Sequence, residues 1–186
     1  MDLIPSMRMG WLNGWIPLCL LAVVQGLLLL AFPKNVVARL FDRSLWNSRQ
    51  KAWTALGKLF SMACLVLLVL TPLKVGSTVF FIGSVLYLLG LVGLVITLFH
   101  FKDTPLDQPA TSGLYKVSRH PQIVTQFVLF LGMCLAVGSW IALAMLLASR
   151  ALQHFSILAE EEACLAQYGE SYRAYMKHVA RYFLIF

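Results

Sequence analysis

A chain of 186 residues is the length of one domain. At 60% hydrophobic and 12% charged, with a mean hydropathy of +0.78, it is too apolar for a soluble fold. The net charge of +7 would suit nucleic acid, but the basic residues lie between apolar runs and not on one solvated face, which is a membrane-topology pattern, so the lipid bilayer is the expected partner and nucleic acid is not.

The first apolar run, residues 12–32, is close to the length that crosses a bilayer core, and Trp11 and Trp15 suit an interfacial belt. It lacks a small-x-small cleavage site before Pro33, so we expect a retained span and not a leader. Residues 33–53 are basic, with Lys34, Arg39, Arg43, Arg49 and Lys51. Val36, Val37, Leu40, Phe41 and Leu45 recur there at helical spacing, which predicts a helix lying in the interface. A second span is expected at 56–71, with Lys58 reaching out from its end. The third is expected at 75–101.

Residues 102–120 form a polar connector that Pro105 and Pro109 keep from being one helix. Residues 123–137 and 140–159 are apolar and meet at Gly138-Ser139, which predicts a fourth and fifth span joined by a tight hairpin. An amphipathic tail follows. The expected fold is therefore an all-α integral membrane protein of about five spans in a single membrane domain, 1–186. Its N-terminal three spans (1–101) precede a connector, hairpin and tail (102–186). Lys and Arg concentrate in the 33–53 loop, the connector and the tail, and only Arg8 and Lys74 fall on the other side. That places the N-terminus outside and the C-terminus in the cytoplasm. The alternative is four spans, with 123–159 a re-entrant pair.

Cys19, Cys64, Cys134 and Cys164 form no CxxC pair, so they read as reduced structural thiols and no metal site is expected. The chain has no GxGxxG after a strand, no P-loop, no HExxH and no GxSxG. A soluble Rossmann domain is excluded by length and composition.

Chemistry-bearing residues gather in two places. Gly113-Leu-Tyr115-Lys-Val-Ser-Arg119-His120-Pro121 leads into the fourth span, with proline suited to the first helical position. Glu160-Glu161-Glu162 ends the fifth. Measured as helix from Gly138, His120 lies roughly 27 Å back and Glu160 roughly 33 Å forward, so the two groups should meet at one surface. Arg119 and His120 could instead be interfacial anchors, and the glutamates a solvated helix end. A helix C-terminus disfavours anions, however. If the fifth helix continues to Tyr168, the glutamates fan over about 200° and at least one must face inward. Arg150 and His154 lie within the fifth span, where an arginine normally faces a bundle or cavity. Tyr168, Tyr172 and Tyr175 share one face of a continuous helix, which reads as packing.

Gly113-x-Tyr115-x-x-x-Arg119-His120-Pro121, the hairpin, Glu160-Glu161, then Tyr168-Gly169-x-x-Tyr172-x-x-Tyr175 and Arg181 resemble the isoprenylcysteine carboxyl methyltransferase and phospholipid methyltransferase superfamily. The resemblance covers about His100 to Arg181. It implies an S-adenosylmethionine-dependent methyltransferase with its cofactor in a cytoplasmic pocket and a lipophilic or amphipathic acceptor entering from the membrane. The cofactor residues it implies are His100, Asp107, Gln108, Pro109, Ala110, Tyr115, Arg119, His120, Pro121, Gln122 and Glu160. In that pocket Glu160 can pair with the cofactor's ammonium and Arg119 or helix-start amides with its carboxylate. Arg119, His120 and Glu161 are the catalytic candidates; an amine or thiol acceptor needs a base, and His120 or Glu161 could serve.

The sequence departs from the superfamily at Ile123 and Thr125, where it has tyrosine and glycine, and at the Ala180–Leu184 ending. It departs again at Ser156, where the carboxyl methyltransferases place an arginine suited to a carboxylate. Ser156, with Arg150 and His154 as the nearest cations along the helix, therefore predicts an amine, thiol or phenol acceptor. A membrane NADPH-dependent sterol or enoyl reductase and a non-catalytic scaffold of the same family are the alternatives.

Overall fold

The structure, a computed structural model, describes residues 1–3 and 5–183, so Leu184 of the superfamily-type ending lies outside the described residues. Among those described there are seven α-helices and no strand: α1 (Trp15–Ala31), α2 (Lys34–Leu40), α3 (Ser48–Leu70), α4 (Thr78–Lys102), α5 (Pro121–Val137), α6 (Trp140–Tyr168) and α7 (Glu170–His178). A single 3-10 turn, Gly113–Lys116, precedes α5. Three helices, α3, α4 and α6, are long and apolar enough to cross a membrane; α1 and α5 are apolar but shorter, 17 residues each.

Two boundaries differ from the sequence expectation. The helix at the expected second span, α3, begins at Ser48, not Leu56, because Asn47 caps it: its side chain accepts from the Gln50 amide (2.9 Å) while the Gln50 side-chain oxygen accepts from the Asn47 amide (2.8 Å). The expected interfacial helix shrinks to the seven residues of α2. Lys58 lies near the middle of α3, whose first turn is polar. At the other boundary, α6 does not stop at Ala159 but continues to Tyr168, so the three glutamates are mid-helix. Gly169 then turns the chain with φ of +58°, so Tyr168 sits on α6 while Tyr172 and Tyr175 sit on α7 and not on one continuous helix.

Between α5 and α6 the chain turns over two residues. Gly138 takes the left-handed conformation (φ +65°), and the Ser139 hydroxyl caps α6 by accepting from the Ala142 amide. From that turn the helices take different partners: α5 lies along α4, and α6 along α3. The α4–α5 contact is backbone-close, since a Cβ on Gly90 would collide with the Leu129 backbone. Leu68, Leu94, Leu129, Met133 and Leu146 fill the core. A cavity lined from both helix pairs lies at the end that carries His120 and Glu160. The opposite end is closed by the first residues of the chain. Asn13 there donates to the carbonyls of Arg8 and Val69, and Asp2 pairs with Lys74 at 2.9 Å.

Candidate functional site

Arg119, in the turn before α5, is buried, as is Glu161 on α6. The Arg119 Nε donates to Glu161 Oε1 at 2.9 Å, and its Nη1 donates to the carbonyls of Met176 and Val179. Arg181 closes the same carboxylate from the tail, with Nη2 to Oε2 at 2.8 Å. His120 completes the ring, its Nε2 3.2 Å from Glu161 Oε1. A carboxylate only accepts, so Nε2 carries the hydrogen. The other ring nitrogen, Nδ1, faces Glu160 at 3.8 Å. Backbone bonds tighten the knot: the Arg119 amide donates to the Ala180 carbonyl, and the Ser118 hydroxyl to that of Arg181. Glu161 thus ties the start of α5, α6 and the tail together.

Next to this knot lies a cavity of about 890 Å³. Tyr115, His120, Pro121, Gln122, Ser156 and Glu160 line its inner part, and Tyr168, Tyr172 and Tyr175 its tail side. Glu160, unlike its neighbour, is half exposed, and its carboxylate has the cavity as its environment. Burial, and then the Glu160 charge, push the Tyr115 phenol well up from its ordinary value, so it stays protonated. Its oxygen already accepts from the Gln122 side-chain amide at 3.2 Å, leaving its own proton for whatever fills the cavity.

The sequence pattern of the phospholipid methyltransferase family matches residues 69–171, more than half of the chain. The chain belongs to the phospholipid methyltransferase family. With that, it is a membrane methyltransferase, carrying helices apolar enough to span a bilayer. The match begins at the end of α3 and takes in all of α4, further toward the N-terminus than His100, and it ends before Tyr172, Tyr175 and Arg181. No curated protein and no solved structure matches the chain.

Within this methyltransferase the residues singled out from sequence divide into three groups. Pro109, Ala110, Tyr115, Arg119, His120, Pro121, Gln122, Ser156 and Glu160 all line the one cavity. A second group supports its wall. His100 accepts from the Leu114 amide through Nδ1 (3.3 Å) and packs on Gly113, whose φ of +57° and absent Cβ let the turn close on the imidazole ring. Gln108 presents its carbonyl to Arg39, and Asp107 is an exposed connector residue. Glu161 sits in the knot. The last group lies elsewhere: His154 Nδ1 is 2.8 Å from the Tyr182 hydroxyl, and Arg150 bonds Gln153. Neither Arg150 nor His154 lines the cavity.

Arg39 is the residue that sequence reading missed. From α2 it donates to the carbonyls of Thr104, Pro105 (3.0 Å) and Gln108 (2.6 Å), and its guanidinium lies over the rings of Phe101 and Tyr168. It had been visible only as one of several cations in a basic loop. Gln25, Gln126 and Lys58 also line the cavity from three different helices without a signal in their spacing.

Proposed function

We propose that the chain is an S-adenosylmethionine-dependent methyltransferase that methylates the amine of an amphipathic lipid. The observation that carries this reading is the half-exposed Glu160 carboxylate beside His120 Nδ1 on the wall of the cavity. The cavity residues fit the cofactor. Glu160 offers a carboxylate to its ammonium, Tyr115 a ring and a hydroxyl donor, and the Gln122 and Gln126 amides offer donors to its carboxylate. Arg119 could add to that last task only through Nη2, because Glu161 and two tail carbonyls already take its Nε and Nη1. When bound, S-adenosylmethionine supplies an electrophilic sulfonium methyl group.

The remaining chemistry falls to the protein. An acceptor ammonium must lose a proton before it can attack, and His120 Nδ1 is placed to take it because Glu161 holds Nε2–H. Glu161, engaged by Arg119, Arg181 and His120, is a positioning residue in this reading and not the base. The apolar walls from Leu94, Leu98 and Ile157 exclude water from the reacting atoms. Most of the rate then comes from holding two reactants in line. Ser156 itself offers a hydroxyl and no fixed cation for a carboxylate, which favours an amine.

Five spans belong to the same proposal: α1 and α5, at roughly 26 Å each, are at the short end of what a bilayer core accepts. The cofactor site would then face the cytoplasm. Calorimetry on the purified protein tests the cofactor assignment. S-adenosylhomocysteine should bind the wild type and NADPH should not, and Glu160→Ala should weaken the former by about tenfold or more, the scale of a lost charge-assisted bond. Unchanged affinity in Glu160→Ala would remove Glu160 from the site.

A further inference from the structure

We infer that Ser156 limits how many methyl groups the acceptor nitrogen receives: its oxygen, held as a hydrogen-bond acceptor on the cavity wall, reads the N–H bonds the amine still carries and disfavours the third transfer. This rests on the methyltransferase reading above and deepens it, from which group is methylated to where methylation stops.

Hydrogen-bond direction fixes what Ser156 offers. Thr54 donates its only hydroxyl proton to the Gln50 carbonyl at 2.9 Å. The Ser156 hydroxyl lies 2.8 Å from the Thr54 oxygen, so Ser156 is the donor of that pair. Its proton is spent within the protein, and what Ser156 presents to the cavity is the lone pairs of its oxygen. Packing holds the pair in place: about one turn along α3, Gly57 lies against Leu152 and Gln153 of α6.

Ser156 is placed beside the reacting nitrogen. It lies one helical turn before Glu160 on the same face of α6. Helical side chains lean toward the N-terminus, so the Glu160 carboxylate leans over the turn that carries Ser156. His120 Nδ1 lies 3.8 Å from that carboxylate. The neighbouring side chains of this wall do not substitute for Ser156. Gln153 has its carbonyl oxygen engaged by Arg150, which leaves its amide hydrogens as the free groups. Ser61 also spends its proton, on the Gly57 carbonyl at 3.0 Å, but it lies roughly 10 Å from Thr54 along α3.

Beside His120 Nδ1, which takes the proton, Ser156 is therefore the group that accepts an N–H of the attacking amine. A neutral primary amine attacks with two N–H bonds, a secondary amine with one and a tertiary amine with none. In each transfer the nitrogen lone pair forms the new N–C bond while the methyl–sulfur bond breaks and its electron pair stays on sulfur. The proton lost by the acceptor ammonium is held at His120 Nδ1. Primary and secondary amines can bond Ser156 as they attack. A tertiary amine sets a methyl group against it and displaces water from an oxygen that then has no donor, which is unfavourable. The first two transfers should run and the third should lag, with the dimethylated lipid as the main product.

The test uses the purified full chain in detergent with phosphatidylethanolamine and its N-methyl and N,N-dimethyl derivatives as acceptors. For the wild type, kcat/KM should fall about tenfold at the dimethyl acceptor, and dimethylated lipid should accumulate. Ser156→Ala should slow the first two transfers about fivefold, the scale of one lost neutral hydrogen bond, without slowing the third, so that the gap closes and trimethylated lipid increases. Ser156→Thr keeps the hydroxyl and should keep the wild-type gap. Thr54 retains its bond to Gln50 in both variants, so neither leaves a hydroxyl proton unpaired, and S-adenosylhomocysteine affinity should stay at the wild-type value. A wild type that runs to the trimethylated lipid without accumulating the dimethylated one, a gap that Ser156→Ala leaves intact, or a gap that both variants abolish would overturn the inference. Retention of radiolabelled phosphatidylethanolamine and phosphatidylcholine by immobilised, cofactor-free protein reads the same oxygen without turnover. The preference for phosphatidylethanolamine should shrink about fivefold in Ser156→Ala. If no acceptor is methylated, the functional reading falls, yet loss of that preference in Ser156→Ala and its retention in Ser156→Thr would still support an N–H-reading oxygen at Ser156. A preference indifferent to Ser156 would overturn it.

Discussion

Replacing Glu161 with alanine should separate folding from binding at this site. Its side chain is 4% exposed and answers Arg119, which is 3% exposed, and Arg181, which is 20% exposed. Removing it leaves a buried guanidinium without its anion, a change that typically costs about 3–5 kcal/mol. We therefore expect a marked fall in the thermal midpoint of Glu161→Ala in detergent. Glu160→Ala, cutting a half-exposed carboxylate, should unfold near the wild-type temperature while losing cofactor affinity. Equal midpoints for the two variants would mean that Glu161 is not the tie described here. The sequence predicts that the glutamates and Arg119-His120 come to one surface. It does not say which one turns inward, because that depends on where α6 ends. The continuation to Tyr168 sets the helical phase and buries Glu161. The place of His154 is hidden from the sequence for a related reason: its partner, Tyr182, lies in a tail whose path back to α6 is tertiary.

At the scale of elements, the apolar runs and their breaks are legible because the longer helices are apolar over the length that crosses a bilayer, and Pro33, Gly138 and Pro121 mark boundaries by backbone chemistry. The start of α3 was legible too, in the Asn47–Gln50 capping box, but hydropathy alone hid it because the first turns of that helix are polar. Less legible was which helices pair. Small residues on α4 and α5 let those backbones meet, and only the assembled structure shows α6 taking α3 instead. The role of α2 is also a matter of assembly. Its Arg39 holds the connector by three carbonyls, and the connector supplies Pro109 and Ala110 to the cavity. Arg39→Ala should loosen that strap. Limited trypsin digestion should cut faster after Lys102 or Lys116, and S-adenosylhomocysteine should dissociate faster. Cleavage and dissociation rates matching the wild type would show that α2 does not hold the connector.

The whole molecule reads as a bundle in which α4 pairs with α5 and α3 with α6, with the Asp2–Lys74 pair and Asn13 at one end and the cavity at the other. Its basic loops lie on the cavity side, which the orientation we propose makes cytoplasmic. A cysteine placed at Asp107 should accordingly react with an impermeant maleimide only from the cytoplasmic side, and one at Ser77 only from the opposite side. The reverse pattern would overturn the orientation. The central claim is methyl transfer to a lipid amine at the cavity shared by His120 and Glu160. It is met most directly by reconstituting the full chain in liposomes containing phosphatidylethanolamine, adding methyl-labelled S-adenosylmethionine, and following label in the extracted lipid, with N-acetyl-farnesylcysteine as a carboxylate acceptor in a parallel sample. The account predicts label on the ethanolamine nitrogen, little on farnesylcysteine, and loss of lipid labelling in His120→Ala and Glu160→Ala. Efficient labelling of farnesylcysteine with none on the lipid amine, or lipid labelling that both variants leave intact, would contradict it.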